Sequence, residues 1–247
     1  MGEFRFKRFS VINERSAMKV NTDGVLLGAL MTLRPGDRML LDIGTGTGTI
    51  ALMAAQRLSG LPVSIKAIDV DSPSASEAAA NFSRSPWPLM LSSENISLED
   101  LALRMETVRE GNDPAVTFDL VFSNPPYFES ELKSPDMRRR EARHACGLSF
   151  REVLEFSSRW LSPGGRCSMV LPSEVETDVC RYGRMCSLFP FRIVRIRTVP
   201  SRPPRRIVAE FSRQRPDVIV EESLVLQEQG RYTDQYTDLV SPFYIWA

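Results

Sequence analysis

Leu41-Asp42-Ile43-Gly44-Thr45-Gly46-Thr47-Gly48 joins the apolar run Met39 to Ile43 to a turn with three alternating glycines. The turn opens onto an apolar stretch at helical spacing from about Thr49 to Leu58. A buried strand, a tight turn and a helix are the parts of a βαβ unit. Glycine is needed in such a turn because a side chain would clash with a ligand or forbid the backbone angles, and the helix that follows offers unpaired N–H groups.

Outward from this turn, β-rich apolar runs alternate with helical stretches. Ser64 to Val70 reads as a second strand, and Ser74 to Phe82, with Ala75, Ala78, Ala79 and Ala80, as the next helix. A weak third strand is expected near Ser93 to Leu98, and a clear fourth over Phe118 to Ser123. Phe150 to Leu161 is amphipathic and is closed by Ser162-Pro163-Gly164-Gly165. Arg166 to Leu171, Phe191 to Val199 and Arg206 to Phe211 supply three more strands. Pro200 to Arg205 must be a loop, because proline cannot sit in a central strand. The alternation predicts a doubly wound α/β fold around a mainly parallel sheet.

The 247 residues are 43% hydrophobic and 25% charged, which excludes disorder, collagen and coiled coil as the main theme. The apolar run Val25 to Leu33 is too short to span a bilayer. Arg5, Lys7 and Arg8 stand where a signal peptide needs apolar residues, and Phe6 breaks the myristoylation pattern, so a cytoplasmic protein is expected. Neither a repeat nor a low-complexity linker interrupts the chain. One domain over 1–247 is expected, with 1–38 an N-terminal addition over the cofactor side and 39–247 the sheet core. The four cysteines lack C-x-x-C spacing and His144 is the single histidine, so no metal site is expected. Formal charge is +0, but it is two opposed blocks. Ten arginines and the single acid Glu210 lie between Arg181 and Arg215, and an acidic tail follows.

The glycine turn alone is ambiguous. Read as Gly46-x-Gly48-x-x-Ala51, it also fits a dinucleotide fingerprint, which keeps a dehydrogenase open. Asp42, two residues before the first glycine, favours S-adenosylmethionine, whose charged amino acid part needs acidic and polar partners. Asp69, followed by Val70, ends the second strand where a carboxylate accepts both ribose hydroxyls of either cofactor.

Ser123-Asn124-Pro125-Pro126-Tyr127 follows the fourth strand directly. In a doubly wound sheet, ligands lie beyond the carboxyl ends of the strands, so these residues face the cofactor. Pro125 and Pro126 stiffen the backbone and keep its carbonyls out of a ladder. The Asn124 oxygen and a neighbouring carbonyl can together accept both hydrogens of a planar NH₂, and such bonds strengthen as the nitrogen becomes cationic. Tyr127 offers a face on which an unstacked base lies.

With these residues the chain resembles the class I S-adenosylmethionine-dependent methyltransferases of the N-P-P-Y amine-methylating group. Within that group it is most similar to the bacterial enzymes that methylate the 6-amino group of adenosine 37 in a valine tRNA. Ala17 to Gly24 with Leu26 to Ala29, Ser85-Pro86-Trp87, Ala142-Arg143-His144, Tyr232 to Tyr236 and Phe243-Tyr244 carry the likeness along nearly the whole chain. The resemblance implies a seven-stranded sheet with its last strand antiparallel. It also implies the cofactor over Asp42, Gly44, Thr45, Gly46, Gly48, Asp69 and Val70, with Asn124 to Tyr127 gripping the target adenine.

Relatives often carry Asp where Ser97 stands, so the hydroxyl of Ser97 is the expected adenine contact, with Glu99 and Asp100 as neighbouring alternatives. Thr22 or Asp23 either caps the helix running from Gly24 or touches the cofactor. Arg202, Arg205 and Arg206 on one side, and Arg138, Arg139, Arg140 and Arg143 on the other, are the expected tRNA phosphate contacts. The rival activities are methylation of a glutamine side-chain amide and DNA adenine methylation. A noncatalytic RNA-binding protein is the rival of another class.

Overall fold

Adjacent apolar residues in one strand, such as Leu40 and Leu41 or Leu120 and Val121, point to opposite sides and belong to two different hydrophobic clusters. Both faces of the sheet are therefore covered, as a parallel sheet requires. The computed structural model describes residues 2–16, 18–110, 116–126 and 148–247. Tyr127, Arg138, Arg139, Arg140, Arg143, His144 and Cys146 lie outside the described residues.

Among the described residues, β1 (Glu3–Arg5) and β2 (Ser10–Ile12) form an antiparallel hairpin ahead of the sheet. The sheet contains β3 (Met39–Ile43), β4 (Ser64–Asp69), β5 (Leu91–Asn95), β6 (Phe118–Ser123), β7 (Leu161–Pro172), β8 (Phe189–Arg197), β9 (Arg206–Ser212) and β10 (Val220–Val225). Their order across the sheet is β10-β8-β9-β7-β6-β3-β4-β5. Only β9 is antiparallel, to both β7 and β8. The seven strands read from the sequence are all present, and the last of them is the antiparallel one.

α1 (Thr22–Leu30), α2 (Thr49–Arg57), α3 (Ser72–Arg84) and α7 (Asp234–Val240) pack on one face. α4 (Leu98–Glu110), α5 (Phe150–Trp160) and α6 (Glu176–Met185) pack on the other. Beyond the sheet edge, β11 (Gln227–Glu228) and β12 (Arg231–Tyr232) form a short antiparallel pair.

Three expectations need correction. The third strand runs over Leu91–Asn95, not toward Leu98, because Ser97 caps α4: its hydroxyl accepts from the Asp100 N–H at 3.0 Å and donates to Asp100 Oδ2 at 2.7 Å. α1 is capped by Asn21, whose Oδ1 accepts from the Gly24 N–H at 2.8 Å, rather than by Thr22 or Asp23. β10 joins the sheet as an eighth strand because its register with β8 sets acids beside arginines. Arg192 pairs with Glu222 at 2.8 Å, and Arg195 with Glu221 at 2.8 Å. The two opposed charge blocks of the sequence are thus neighbours across one strand pair.

Several polar groups buried at the amino edge are paired with one another. Glu210, with no exposure, accepts from the Thr32 N–H and hydroxyl, the Ser168 hydroxyl and Arg192. Arg166 pairs with Asp37 at 2.6 Å, their side chains 1% and 4% exposed. Cys167 and Cys180 are buried free thiols, and burial pushes Cys167 up to about 12. No described helix is long and apolar enough to cross a membrane, and no group of metal-ligating residues occurs among the described residues.

Candidate active site

Asp42 ends β3 one residue before its last position and is completely buried. Its Oδ2 accepts from the Thr45 hydroxyl at 2.7 Å, whereas Oδ1 has no hydrogen-bond partner among the described residues. Burial pushes this carboxyl up to about 7; the Thr45 bond opposes the shift and the charge of Asp69 adds to it. A buried acid with an unused oxygen and no counterion among the described residues is chemically suited to a cationic ligand group.

The turn above it needs its glycines. Gly44, Gly46 and Gly48 have φ of 70°, 56° and 80°, in the left-handed region. At Gly48 a Cβ would also stand 2.5 Å from Cε1 of Phe82, so this glycine lets α2 and α3 approach. The turn is tied to β4: the Gly44 and Thr45 N–H groups donate to the Ile68 carbonyl, and the Gly46 N–H donates to Asp69 Oδ2 at 2.9 Å.

Asp69 accepts from the Asp71 N–H through its other oxygen, at 2.9 Å. Burial pushes its carboxyl up and these two N–H bonds oppose the shift, leaving a half-buried acceptor at the carboxyl edge. Val70 beside it is 73% exposed, and its carbonyl accepts from the Asn95 side chain at 3.0 Å. Ser97 follows β5 at the same edge, with its hydroxyl engaged in the α4 cap described above.

Asn124 ends the other wall. β6 lies next to β3 in the sheet, and the Ser123 hydroxyl donates to the Ile43 carbonyl at 2.7 Å, fixing the two strand ends together. Asn124 is 7% exposed, and its Nδ2 lies 3.6 Å from the Met18 sulfur. Pro125 is buried and Pro126 half-buried. The cleft between the walls is lined by Gly44, Gly46 and Asn124, and roofed by Met18, Lys19 and Asn21 from ahead of α1. The structure therefore brings Asp42, the glycine turn, Asp69, Val70 and Asn124 to one edge.

The loop between β8 and β9 emerges at that same edge, with one intervening strand between β9 and β6 and two between β8 and β6, so roughly 10–15 Å away. Arg202 and Arg205 are exposed on it. Arg206 at its base pairs with Asp23 at 2.8 Å, which ties the loop to the helix that starts beside the cleft. The sequence carried the expectation that 1–38 lies over the cofactor side, but no signal that Met18 within it faces Asn124.

A parallel sheet with one antiparallel strand, a glycine turn over a buried acid and a second acid ending the next strand define the chain as a class I methyltransferase. Its fold matches that of an Agrobacterium tumefaciens chain classed as an O-methyltransferase, with a TM-score of 0.66 at 19% identity over 90% of this chain and 96% of that one. A Listeria monocytogenes chain assigned to the class I S-adenosylmethionine-dependent methyltransferases matches with a TM-score of 0.54 at 16% identity, over 94% of this chain and 71% of that one. No family model matches the chain. By sequence it is 38% identical over 242 residues to the tRNA1(Val) (adenine(37)-N6)-methyltransferase of Bacteroides fragilis, covering 98% of this chain and 97% of the relative. The chain belongs to the tRNA1(Val) (adenine(37)-N6)-methyltransferase family.

Proposed function

We propose that this protein methylates the exocyclic 6-amino group of an adenosine in tRNA, at position 37 beside the anticodon of a valine tRNA, with S-adenosylmethionine as donor. The observation that carries the reading is Asn124 at the carboxyl end of β6, in one cleft with the glycine turn, in a chain of this family.

When bound, S-adenosylmethionine supplies an electrophilic methyl group. Asp42 and Thr45 would hold its cationic amino acid end beneath the turn formed by Gly44, Gly46 and Gly48. Asp69 would accept the ribose hydroxyls, and Val70 and Ser97 would border the adenine. Asn124, with a carbonyl of the Pro125-Pro126 pair, accepts both hydrogens of the target amine, and Tyr127 stacks on the adenine. Positive charge developing on the target amine during transfer would strengthen its bonds to Asn124 toward the transition state, with S-adenosylhomocysteine as the leaving product. No strong general base is needed, because the methylated ammonium-like nitrogen gives its proton to solvent.

On this reading residues 1–247 act as one methyltransferase domain in the cytoplasm. Arg202, Arg205 and Arg206, with Arg138, Arg139, Arg140 and Arg143 from outside the described residues, hold phosphates around the flipped base. Digesting tRNA to nucleosides from cells with and without the gene tests the activity. Loss of 6-methyladenosine from a valine isoacceptor is expected, and an unchanged content would overturn it.

Two variants test the parts. Asp69→Ala should weaken S-adenosylhomocysteine binding by about 2–4 kcal/mol, since charge-assisted hydrogen bonds to the ribose are lost. Unchanged calorimetric affinity would move the ribose contact elsewhere. Reversing Arg202 and Arg205 to Glu should weaken tRNA binding, flatten its dependence on salt and spare S-adenosylhomocysteine. Arg206 is left in place because of its pairing with Asp23. Filter binding across a salt series that returns the original slope would place the RNA on another surface.

A further inference from the structure

The Ala-rich helix α3 buries three polar side chains, Ser74, Glu77 and Asn81, at 2%, 4% and 1% exposure. Their spacing of three and four residues puts them on one helical face. That face is spent on the segment ahead of α1. Asn81 accepts from the Ile12 N–H at 2.8 Å and donates to the carbonyls of Ile12 and Thr47, joining β2 to the glycine turn.

Glu77 accepts from three successive backbone N–H groups, those of Glu14 at 2.6 Å, Arg15 at 3.0 Å and Ser16 at 2.7 Å. The Ser74 hydroxyl donates to Asp71 Oδ2 at 2.6 Å and lies 3.1 Å from the Ser16 hydroxyl, which donates to the Met18 carbonyl. Lys19 closes the arrangement by donating to the carbonyls of Asn13 and Glu14. Met18, Lys19 and Asn21 then roof the cleft, with the Met18 sulfur against Asn124.

A buried carboxylate satisfied by backbone N–H groups alone is costly to remove, since each orphaned donor keeps its desolvation penalty. Burial alone would push Glu77 up. The N–H bonds of Arg15, Ser16 and Glu14 and the charge of Lys19 outweigh it and hold the carboxyl below the usual carboxylate range. The group is thus a fixed anion serving the segment that roofs the cleft.

We infer that Glu77 is a positioning residue for the methyl-donor cleft: it fixes the backbone of Glu14 to Ser16 and so sets where Met18 to Asn21 lie over the glycine turn. The inference rests on the reading of that cleft as the S-adenosylmethionine site. A merely structural role predicts lower thermal stability with unchanged ligand affinity. A positioning role predicts a ligand effect in protein that is still folded.

The isosteric Glu77→Gln keeps one acceptor but faces the backbone N–H groups with an NH₂. It should raise the Kd for S-adenosylhomocysteine and the KM for the donor roughly tenfold, with kcat at saturation within about twofold. Glu77→Ala should exceed it in the same direction. Folded Glu77→Gln with an unmoved Kd and KM overturns the inference. Should both variants fail to fold, Ser16→Ala decides: a Kd raised severalfold supports the role, and an unchanged Kd overturns it. Unaltered protein that binds no S-adenosylhomocysteine would instead refute the reading of the cleft itself.

Discussion

Asn124→Ala should lower the rate of methyl transfer roughly a hundred- to a thousandfold while leaving S-adenosylhomocysteine affinity within a few fold. The magnitude is that of removing one preorganised group aimed at charge developing in a dry site. Asn124 meets both conditions: it is 7% exposed, and Ser123 beside it is hydrogen-bonded to the end of β3, so little reorganisation accompanies the reaction. The bonds it accepts are weak to a neutral amine and strong to a cationic one, so the loss falls on kcat as well as on kcat/KM. Single-turnover rates with saturating tRNA, beside a calorimetric titration, separate chemistry from binding. Near-normal turnover would remove Asn124 from the mechanism.

Asp37→Ala should destabilise the fold by about 3–5 kcal/mol, lowering the melting midpoint of a chain this size by roughly 6–20 °C. The reason is not the lost attraction but the charge left behind. Arg166 has a side chain 1% exposed, and with Asp37 gone its remaining hydrogen bond among the described residues is to the Thr32 carbonyl, at 3.1 Å, with Asp119 as the nearby charge. The double variant Asp37→Ala with Arg166→Met should recover much of the loss, because an apolar side chain of similar length carries no desolvation penalty. Both residues lie at the amino edge, away from the cleft, so S-adenosylhomocysteine affinity of the folded single variant should be unchanged. Thermal melts of the two variants check this; a double variant as unstable as the single one would place the cost elsewhere.

Most of the candidate site was legible because its residues follow strands directly. A strand end at Ile43, Asp69 or Ser123 fixes the next residue to the carboxyl edge, so Gly44, Val70 and Asn124 were placeable without knowing any contact. Ser97 shows the limit of that reasoning. The same hydroxyl that can meet an adenine can cap a helix, and which of the two occurs here depends on Asp100 three residues on. Glu77 shows a second limit. Nothing in Ser74 to Phe82 distinguishes a buried acid from a solvated one until its backbone partners, more than 60 residues away, are in place.

The alternation of apolar runs with helical stretches by itself determined the doubly wound sheet, because period and turn chemistry are local properties of the chain. Local chemistry also determined the glycine turn and the acids that end its flanking strands. Tertiary structure alone decided what the charges do. The arginines of β8 read as one basic block, yet Arg192 and Arg195 are neutralised by Glu222 and Glu221 of β10, while Arg202 and Arg205 in the adjoining loop remain exposed. It likewise decided that Met18 meets Asn124 and that α3 supplies the anchor of the segment before α1. Side-chain pairing across strands and helices depends on register and burial, and those are fixed only when distant segments meet.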